Sequence, residues 1–491
     1  MRVLGTLTGL LAGTRLLAPA QAIELDVNSE GEREPSFPPP GLVSSSPPHR
    51  LTSWSQIASL KNAASITTWG AMTYYTGNET GQSPGFIPKS WYEGSVLFMC
   101  AMYYWHFTGD TTYNEEVRIG MEYQSGNGDY LPANSSQYMG NDDQGFWGAA
   151  AMTATELNLT DYGQYSWLSL AQGVFNTQTQ RDSGWDASTC GGGVRWQQYN
   201  YMAGYTMKNA ISNGLLFQLS ARLYRYTNDE QYAQWAEKIW DWSNEYLIDN
   251  QTWVIADSVT TTQDCKVKGM GENSYNYSSF LMGLAYLYNH TTGATQAKWE
   301  QAVYGLANKT LTEYFPAKYG GVEYEPTCDP FPTQCFDSNN LLFKGHTSSW
   351  LGWTALLVPQ IYDQIMAKLQ VTATAAAAAC TGPEQDGNQC GSAWYQSKFD
   401  GRTGMEQQIS ASDLFSVNLI PFIQPTPEKV LGPLTSSTGG SSTSNPNAGM
   451  NDNTNEVQLA PITTGDRAGA GILTAIFVAG WVGGLAWMFL E

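Results

Sequence analysis

Two adjacent acids, Asp142 and Asp143, stand in the stretch YMGNDDQGFWGAAAMTATELN at residues 138–158. Cleavage of a glycosidic bond needs one carboxylic acid that protonates the leaving oxygen and one carboxylate that attacks the anomeric carbon or activates water. Neighbouring residues diverge by about 100° on a regular helix, so both side chains face one sugar only in a loop or a first helical turn. Their mutual repulsion raises one pKa, as an acid and a nucleophile working at one pH require.

The pair also fits roles that involve no catalysis. Asp-Asp before a helix is commonly a helix cap that compensates the dipole. A calcium loop is weakly supported, because the surrounding acids lack the spacing of an EF-hand. The histidines show no metal-binding spacing, so we expect no metal and no cofactor; they are His49, His106, His290 and His346.

A second polar segment, SGWDASTCGGGVRWQQYNYMAGYTMKNAISNG at 183–214, combines charged, amide and tryptophan side chains with three glycines that permit close approach of the backbone to a ligand. The alternative is a structural loop fixed by a disulfide. From this segment and from the neighbours of the acid pair, the candidate substrate-binding residues are Asn141, Gln144, Trp185, Asp186, Arg195, Trp196, Gln197, Lys208 and Asn209.

The elements around these residues are predicted to be helical hairpins. In EQYAQWAEKIWDWSNEYL, apolar residues recur at steps of three and four from Tyr232 to Tyr246. Similar turns occur in YWHFTGDTTYNEEV at 104, YRYTNDEQYAQWA at 224 and YLYNHTTGATQAKWE at 286, with a looser version, YYTGNETG, at 74. Thr, Asn and Asp in these turns supply N-caps for the next helix.

This pattern predicts an all-α domain over residues 54–422, with about six hairpins. An open solenoid and a closed ring are both compatible with it. The polar loops NDDQG and CGGGVRWQ interrupt the helices. They favour a closed (α/α)6 toroid, a six-hairpin barrel whose loops build a cleft at one end.

Both ends of the chain resemble processing signals. Residues 1–22 contain an apolar run interrupted by Arg15 and end in Ala20-Gln21-Ala22, which predicts a signal peptide rather than an amphipathic helix. Residues 23–53 are Pro/Ser-rich. A Ser/Gly/Asn-rich linker at 423–467 precedes an apolar tail at 468–491, which favours a glycosylphosphatidylinositol (GPI) signal over a retained span, with Asn453 or Gly465 as the attachment residue.

The cysteines and glycosylation sequons agree with secretion. We expect disulfides Cys328–Cys335, Cys380–Cys390 and Cys190–Cys265, with Cys100 as a buried free thiol. Seven N-x-S/T sequons should face solvent: Asn78, Asn134, Asn158, Asn250, Asn276, Asn289 and Asn308. The net charge of -20 argues against nucleic acid as a partner. The aromatic content of 13% fits a large core or a sugar cleft.

The motifs GNDDQGFWGAAAMTA, WDASTCGGGVRWQ, KNAISNG and IELDV together resemble glycoside hydrolase family 76, in particular its fungal GPI-anchored cell-wall branch. The resemblance covers roughly residues 54–420 and the two ends. It implies the (α/α)6 toroid and retaining action on α-1,6-mannosides, with Asp142 as nucleophile and Asp143 as acid/base. It also adds Tyr275 and Asn276 to the candidate substrate-binding residues.

The branch suggests a transglycosidase that cleaves the mannose core of a GPI glycan and links the attached protein to cell-wall β-glucan. Hydrolysis of mannan by an endo-α-1,6-mannanase is the alternative, and a non-catalytic wall lectin or adhesin is a candidate of another class. We expect a monomer on the outer face of the plasma membrane and in the cell wall. The chain departs from the branch at Asn273, where Trp is expected, and at Ala393, where Arg is usual.

Overall fold

The computed structural model describes residues 23, 25, 54–88, 90–135, 138–330, 335, 339–382, 388–423, 431–450 and six residues between 473 and 481. The expected signal peptide, most of the Pro/Ser-rich segment and both candidate attachment residues, Asn453 and Gly465, lie outside these ranges. The chain divides into a unit over Met1–Gly449 and a second over Met450–Glu491. Among the described residues, every helix is too short or too polar to cross a membrane.

Twelve α-helices form the described part of the first unit, and each follows the previous one in chain order. Their bounds are α1 Trp54–Met72, α2 Glu93–Thr108, α3 Asn114–Tyr123, α4 Asn141–Glu156, α5 Trp167–Gln180, α6 Ala210–Thr227, α7 Glu230–Tyr246, α8 Ser274–His290, α9 Gly293–Glu313, α10 Phe343–Leu357, α11 Tyr362–Ala379 and α12 Met405–Val417.

The even-numbered helices form an inner ring. They are buried almost throughout, and each packs against the next in the order α2, α4, α6, α8, α10, α12 and back to α2. The odd-numbered helices lie outside them, and most bury only one face, as the amphipathic α7 does with Tyr232, Ile239 and Trp242. The ring closes, so the expected (α/α)6 toroid is confirmed and the solenoid is excluded.

The three similar turns found in the sequence all connect an inner helix to the next outer helix. They join α2 to α3, α6 to α7 and α8 to α9. At the second, the Asp229 side chain caps α7 by accepting a hydrogen bond from the Gln231 N–H at 3.0 Å. The looser copy at residue 74 follows the outer helix α1, and among the described residues the next helix begins only at Glu93, so a hairpin turn there was a wrong prediction.

Small elements near one end of the ring complete the fold. Strands β1 Met207–Asn209, β2 Ser258–Thr260 and β3 Lys268–Gly269 form an antiparallel sheet in that order, with Lys208 opposite Val259 and Val259 opposite Lys268. Disulfides join Cys190 to Cys265, Cys328 to Cys335 and Cys380 to Cys390, the three expected pairs, and Cys100 is a buried thiol. The Cys190–Cys265 disulfide connects residues 190–197, the glycine-rich loop, to the segment between β2 and β3.

Residues 431–449, the strap, were expected to belong to a free linker, but they pack on the toroid. The strap meets the inner ring at the ends of α4 and α6, where the Leu434 N–H donates to the Glu156 carbonyl at 3.0 Å. It then follows α5, whose Asn176 side chain donates to the Pro446 and Ala448 carbonyls at 2.8 Å each. The first unit therefore extends to Gly449, beyond the expected domain boundary at 422. Serine and asparagine side chains make this docking possible, because they satisfy polar groups of the toroid.

The sequon asparagines differ in exposure. Asn78, Asn134, Asn158, Asn250, Asn289 and Asn308 are exposed, as acceptors of a glycan must be. Asn276 is fully buried in the first turn of α8, and its Nδ2 donates to Asp257 at 3.1 Å. The expectation that this sequon faces solvent is wrong, because the asparagine serves the interior of the site.

Candidate active site

A cavity of about 410 Å³ opens at the N-terminal end of the inner ring. Five inner helices supply residues from their starts: Tyr92 precedes α2, Asp142 and Asp143 lie in the first turn of α4, Asn209 caps α6, Tyr275 lies in the first turn of α8 and Phe343 begins α10. The N-terminal ends of five helices therefore face the cavity, and their positive dipole ends favour the ionised form of a carboxylate there. Its other lining residues are Phe146, Trp196, Gln197, Met207, Asp257, Asn273, Asn339 and Asn340.

The acid pair is fixed by hydrogen bonds at the start of α4. Gly140 has extended backbone (φ -85°, ψ 172°), and the next residue donates from its N–H to the Trp196 carbonyl at 2.8 Å. The Gly140 N–H donates to Asp143 Oδ2 at 2.5 Å, as the third residue of a capping box accepts it. Asp142 Oδ1 accepts from the Asp143 N–H at 3.0 Å, and the Trp196 indole also donates to Asp142. A side chain at Gly140 would collide with Asp142 Oδ1, so this position requires glycine.

Burial raises the pKa of both acids. For Asp142 burial is the largest cause and the charge of Asp143 the next, and the pKa lies well above the ordinary value. For Asp143 burial raises the pKa to about 6, although the Gly140 N–H favours its charged form. The pair therefore holds one proton near neutral pH, which is the protonation state of a glycosidase acid pair.

A third carboxylate, Asp257, faces the same cavity. Its Oδ1 accepts from the side-chain amides of Asn273 at 3.0 Å and Asn276 at 3.1 Å. Two neutral donors on one oxygen orient the carboxylate. The Oδ2 atom can then accept hydrogen bonds from sugar hydroxyls.

Aromatic rings form the remaining wall. Tyr275 and Phe343 stack with ring centroids 3.7 Å apart and planes at 11°, and Tyr92 packs against Phe146 at 5.0 Å. Burial first, then nearby acids, raise the pKa of both Tyr92 and Tyr275, so their hydroxyls stay protonated and can donate. Flat apolar rings combined with a few fixed carboxylates and amides are the composition of a sugar site.

The predicted substrate-binding residues fall into two groups. Trp196, Gln197, Asn209 and Tyr275 line the cavity. The others do not line the cavity, and three of them form hydrogen bonds behind its wall. Asn141 Nδ2 donates to the Ser183 and Arg195 carbonyls. Gln144 Nε2 donates to the Asp129 carbonyl, and Asn276 orients Asp257.

The charged residues in and beside the glycine-rich loop also lie away from the cavity. Asp186 pairs with Arg195 at 2.7 Å and with Lys208 at 3.3 Å, and all three are buried. Lys208 Nζ donates to the carbonyls of Asp186, Thr189 and Gly192 at 2.5 to 2.9 Å. The direct substrate-binding role expected for Asp186, Arg195 and Lys208 is wrong here, because carbonyls and charges in and beside the loop occupy these groups.

Trp185, the remaining tryptophan of that prediction, packs edge-on against Trp235 at 5.5 Å and Trp242 at 6.3 Å. The indole of Trp242 in turn donates to the Cys190 carbonyl at 3.0 Å. This part of the segment is the disulfide-fixed structural loop that the sequence left as the alternative.

Sequence reasoning did not predict eight of the fourteen residues that line the cavity. Asp257, Tyr92 and the Asn339-Asn340 pair had no motif to mark them, and Asn273 was noted only as a departure from the family pattern. Most of them lie just before or at the start of an inner helix. The inner helices lack a polar face, so the residues that precede such helices are the signal that could have identified the cavity wall. Among the described residues, no group of three or more His, Cys, Asp or Glu side chains is placed to hold a metal ion.

Comparisons with known proteins agree with this architecture. A family model described as Glycosyl hydrolase family 76 matches residues 59–429. Mannan endo-1,6-alpha-mannosidase DCW1 of Saccharomyces cerevisiae is 38% identical over 437 residues, covering 88% of this chain and 93% of the relative. Mannan endo-1,6-alpha-mannosidase DFG5 of the same yeast is 35% identical over 439 residues, covering 88% and 92%.

Solved structures give the same result. The crystal structure of Dfg5 from Chaetomium thermophilum in complex with glucosamine superposes with a TM-score of 0.75 at 34% identity, covering 81% of this chain and 97% of that one. An inactive variant of the alpha-1,6-mannanase GH76A of Salegentibacter sp., in complex with alpha-1,6-mannotetrose, gives a TM-score of 0.59 at 17% identity, covering 74% and 99%. The second likeness supports the fold alone.

Proposed function

The chain belongs to glycosyl hydrolase family 76, and we propose that it cleaves α-1,6-mannosidic bonds with Asp142 and Asp143. The observation that carries the proposal is the placement of these carboxylates together in one cavity, with raised pKa values and one shared proton. The names of the yeast relatives, mannan endo-1,6-alpha-mannosidases, supply the substrate class. Asp257 and the Tyr275–Phe343 stack offer a carboxylate and an aromatic face for the sugar.

The proposed mechanism retains configuration. One carboxylate oxygen bonds to the anomeric carbon while the bond to the leaving oxygen breaks, and the other acid gives that oxygen its proton. A water or sugar hydroxyl then gives its proton to the second acid's carboxylate, attacks the anomeric carbon and releases the first. We assign attack to Asp142 and proton transfer to Asp143. This assignment requires the shared proton to be on Asp143, and Asp142 to be ionised, when the glycosidic bond breaks.

The acceptor decides the biological reaction. We propose that a β-glucan hydroxyl intercepts the mannosyl-enzyme intermediate, so that a protein carried on a GPI glycan is joined to the cell wall. Hydrolysis of mannan is the competing outcome of the same intermediate. We further propose that the protein acts as a monomer held by a GPI anchor at the plasma membrane and cell wall, with Asn453 or Gly465 as the attachment residue.

The test is the reaction itself. We expect Asp142→Asn and Asp143→Asn each to lower cleavage of α-1,6-mannotetraose by at least about 10³-fold, because each removes one half of the pair. Asp241→Asn, at an exposed position on α7, should retain full activity as the matched control. Wild-type rates in either variant of the pair would exclude the assignment.

Two further readouts separate roles and function classes. Azide added to the nucleophile variant forms a mannosyl azide of inverted configuration, whereas the acid/base variant forms one of retained configuration, so product stereochemistry identifies Asp142 or Asp143 as nucleophile. Mass spectrometry after incubation with a GPI-core glycan and a β-glucan oligosaccharide detects a joined product only in the transglycosidase. A wild-type protein that binds these glycans and leaves them intact is the lectin.

A further inference from the structure

Three tyrosines stand beside the cavity without lining it, and two of them are strongly exposed. Tyr138 is 73% exposed and Tyr201 is 53% exposed. Tyr199 stacks on Tyr201 with ring centroids 5.4 Å apart and planes at 15°. The charges of Tyr199 and Tyr138 both contribute to raising the pKa of Tyr201, after its partial burial, so the three hydroxyls are neighbours.

The backbone connects these rings to the cavity wall. Gly140, directly before the acid-pair helix, forms an antiparallel bridge with Gln197, and the next residue's N–H donates to the Trp196 carbonyl. Tyr199 follows Gln197 by two residues and Tyr138 precedes Gly140 by two, so both lie next to this bridge. Trp196 and Gln197 line the cavity, and the tyrosines therefore adjoin this wall of the cavity.

The segment that carries two of these rings is held in place. Its turns are closed by hydrogen bonds from the Met202 N–H to the Tyr199 carbonyl at 3.0 Å and from the Met207 N–H to the Gly204 carbonyl at 2.9 Å. Gly204, at φ 95°, lies so close to the Trp196 ring that a Cβ would sit 2.2 Å from it. Fixed rings bind a sugar with little ordering cost.

We propose that Tyr138, Tyr199 and Tyr201, the tyrosine platform, form an outer subsite that stacks on a pyranose of the mannoside chain extending from the sugar at the acid pair. The inference rests on the proposed function and deepens it, because an outer subsite makes the affinity for a mannoside depend on the number of sugars in its chain. Exposed tyrosine rings offer apolar faces to sugar C–H groups, while their hydroxyls bond to sugar hydroxyls. A single exposed tyrosine is ordinary on a protein surface, whereas three together, continuous with a catalytic cavity, indicate a binding surface.

The test measures binding without turnover. The full chain carrying Asp142→Asn and Asp143→Asn is titrated by calorimetry with α-1,6-mannobiose and with α-1,6-mannotetraose. Adding Tyr138→Ala and Tyr201→Ala should weaken mannotetraose binding about tenfold and reduce the ratio of the two affinities by a similar factor. Tyr138→Phe with Tyr201→Phe should restore most of the affinity, because stacking needs the ring.

Tyr123→Ala is the matched control, because Tyr123 is 56% exposed at the end of the outer helix α3. It should leave both affinities unchanged. An unchanged mannotetraose affinity in the double alanine variant overturns the platform, and so does an equal loss for both ligands, which would indicate a disturbed cavity. If the wild-type chain cleaves mannotetraose while the platform fails, the proposed function stands; if it neither binds nor cleaves either mannoside, both fall.

Discussion

Asp143 is both a helix cap and a candidate catalytic group. Its carboxylate accepts the Gly140 N–H, which is the capping role that the sequence alone left open. The same bond favours the ionised form of Asp143. Capping and catalysis are therefore compatible roles of the Asp-Asp pair, and choosing between them from sequence was never required.

The shared proton leads to a prediction for the pH dependence of catalysis. Below pH about 6 both acids are protonated, because burial raises the pKa of Asp143 to about 6 from its ordinary 3.8. We expect kcat/KM to increase as pH rises through about 6, where the pair first carries a negative charge. A profile of kcat/KM against pH on α-1,6-mannotetraose measures the midpoint. A rising limb centred near pH 4 would contradict the buried environment of the pair.

The acid pair was predictable at the residue scale because its chemistry and its local turn are contiguous in sequence. Asp257 was not, because its role depends on amides of Asn273 and Asn276 brought to it by folding. Asn273 illustrates the difference well: in the sequence it was a departure from the family pattern, and in the structure it orients a carboxylate and lines the cavity.

At the scale of elements, the glycine-rich loop is organised around a buried lysine. Burial by itself would raise the pKa of Asp186, but the Ser188 and Thr189 hydroxyls, followed by Lys208 and Arg195, lower it to about 2. Lys208 connects this acid to three carbonyls in and beside the loop, and burial lowers its own pKa to about 8. The sequence showed these charges as a polar cluster but gave no sign that they bind one another.

We expect Lys208→Met to lower the free energy of unfolding by about 3–5 kcal/mol, because it leaves a buried acid and three carbonyls short of a partner. Chemical denaturation measures the loss. Lys238→Met is the control, since this exposed lysine lies over the Trp235 ring at 4.1 Å and the Trp185 ring at 4.9 Å, and its loss should cost less than about 1 kcal/mol. A Lys208→Met variant with full stability and a raised KM would instead support the prediction that Lys208 contacts the substrate directly.

At the scale of the whole molecule, the ring of helices could be predicted from the sequence, whereas the strap could not. Hairpin turns are local, so their Tyr, Thr and Asn signals indicated the repeat and, with the polar loops, the toroid. The strap could not be predicted in this way, because Ser/Gly/Asn-rich composition is typical of linkers. The strap is ordered by polar groups on α5, including Gln172 and Asn176, which accept and donate hydrogen bonds along the length of the strap.

Removing the strap should therefore destabilise the toroid. We expect a chain that ends at residue 423 to melt roughly 3–10 °C below a chain that ends at Gly449, because α5 loses its cover and buried amides lose their partners. Differential scanning calorimetry measures the two melting temperatures. Asn176→Leu in the longer chain, which removes two of the bonds, should give a smaller decrease. Equal melting temperatures for the two lengths would show that the strap only rests on the surface.

The strap also determines how the toroid bears mechanical load. Its contacts climb α5 from Leu168 to Asn176, eight residues or about 12 Å along the helix, so the chain leaves the first unit on the flank of the ring. Tension entering at Gly449 meets the bonds of Asn176 first, then those of Gln172, then that of Leu168. The strap would therefore peel away from α5 stepwise, and its contacts with the ends of the inner helices α4 and α6 would be loaded last.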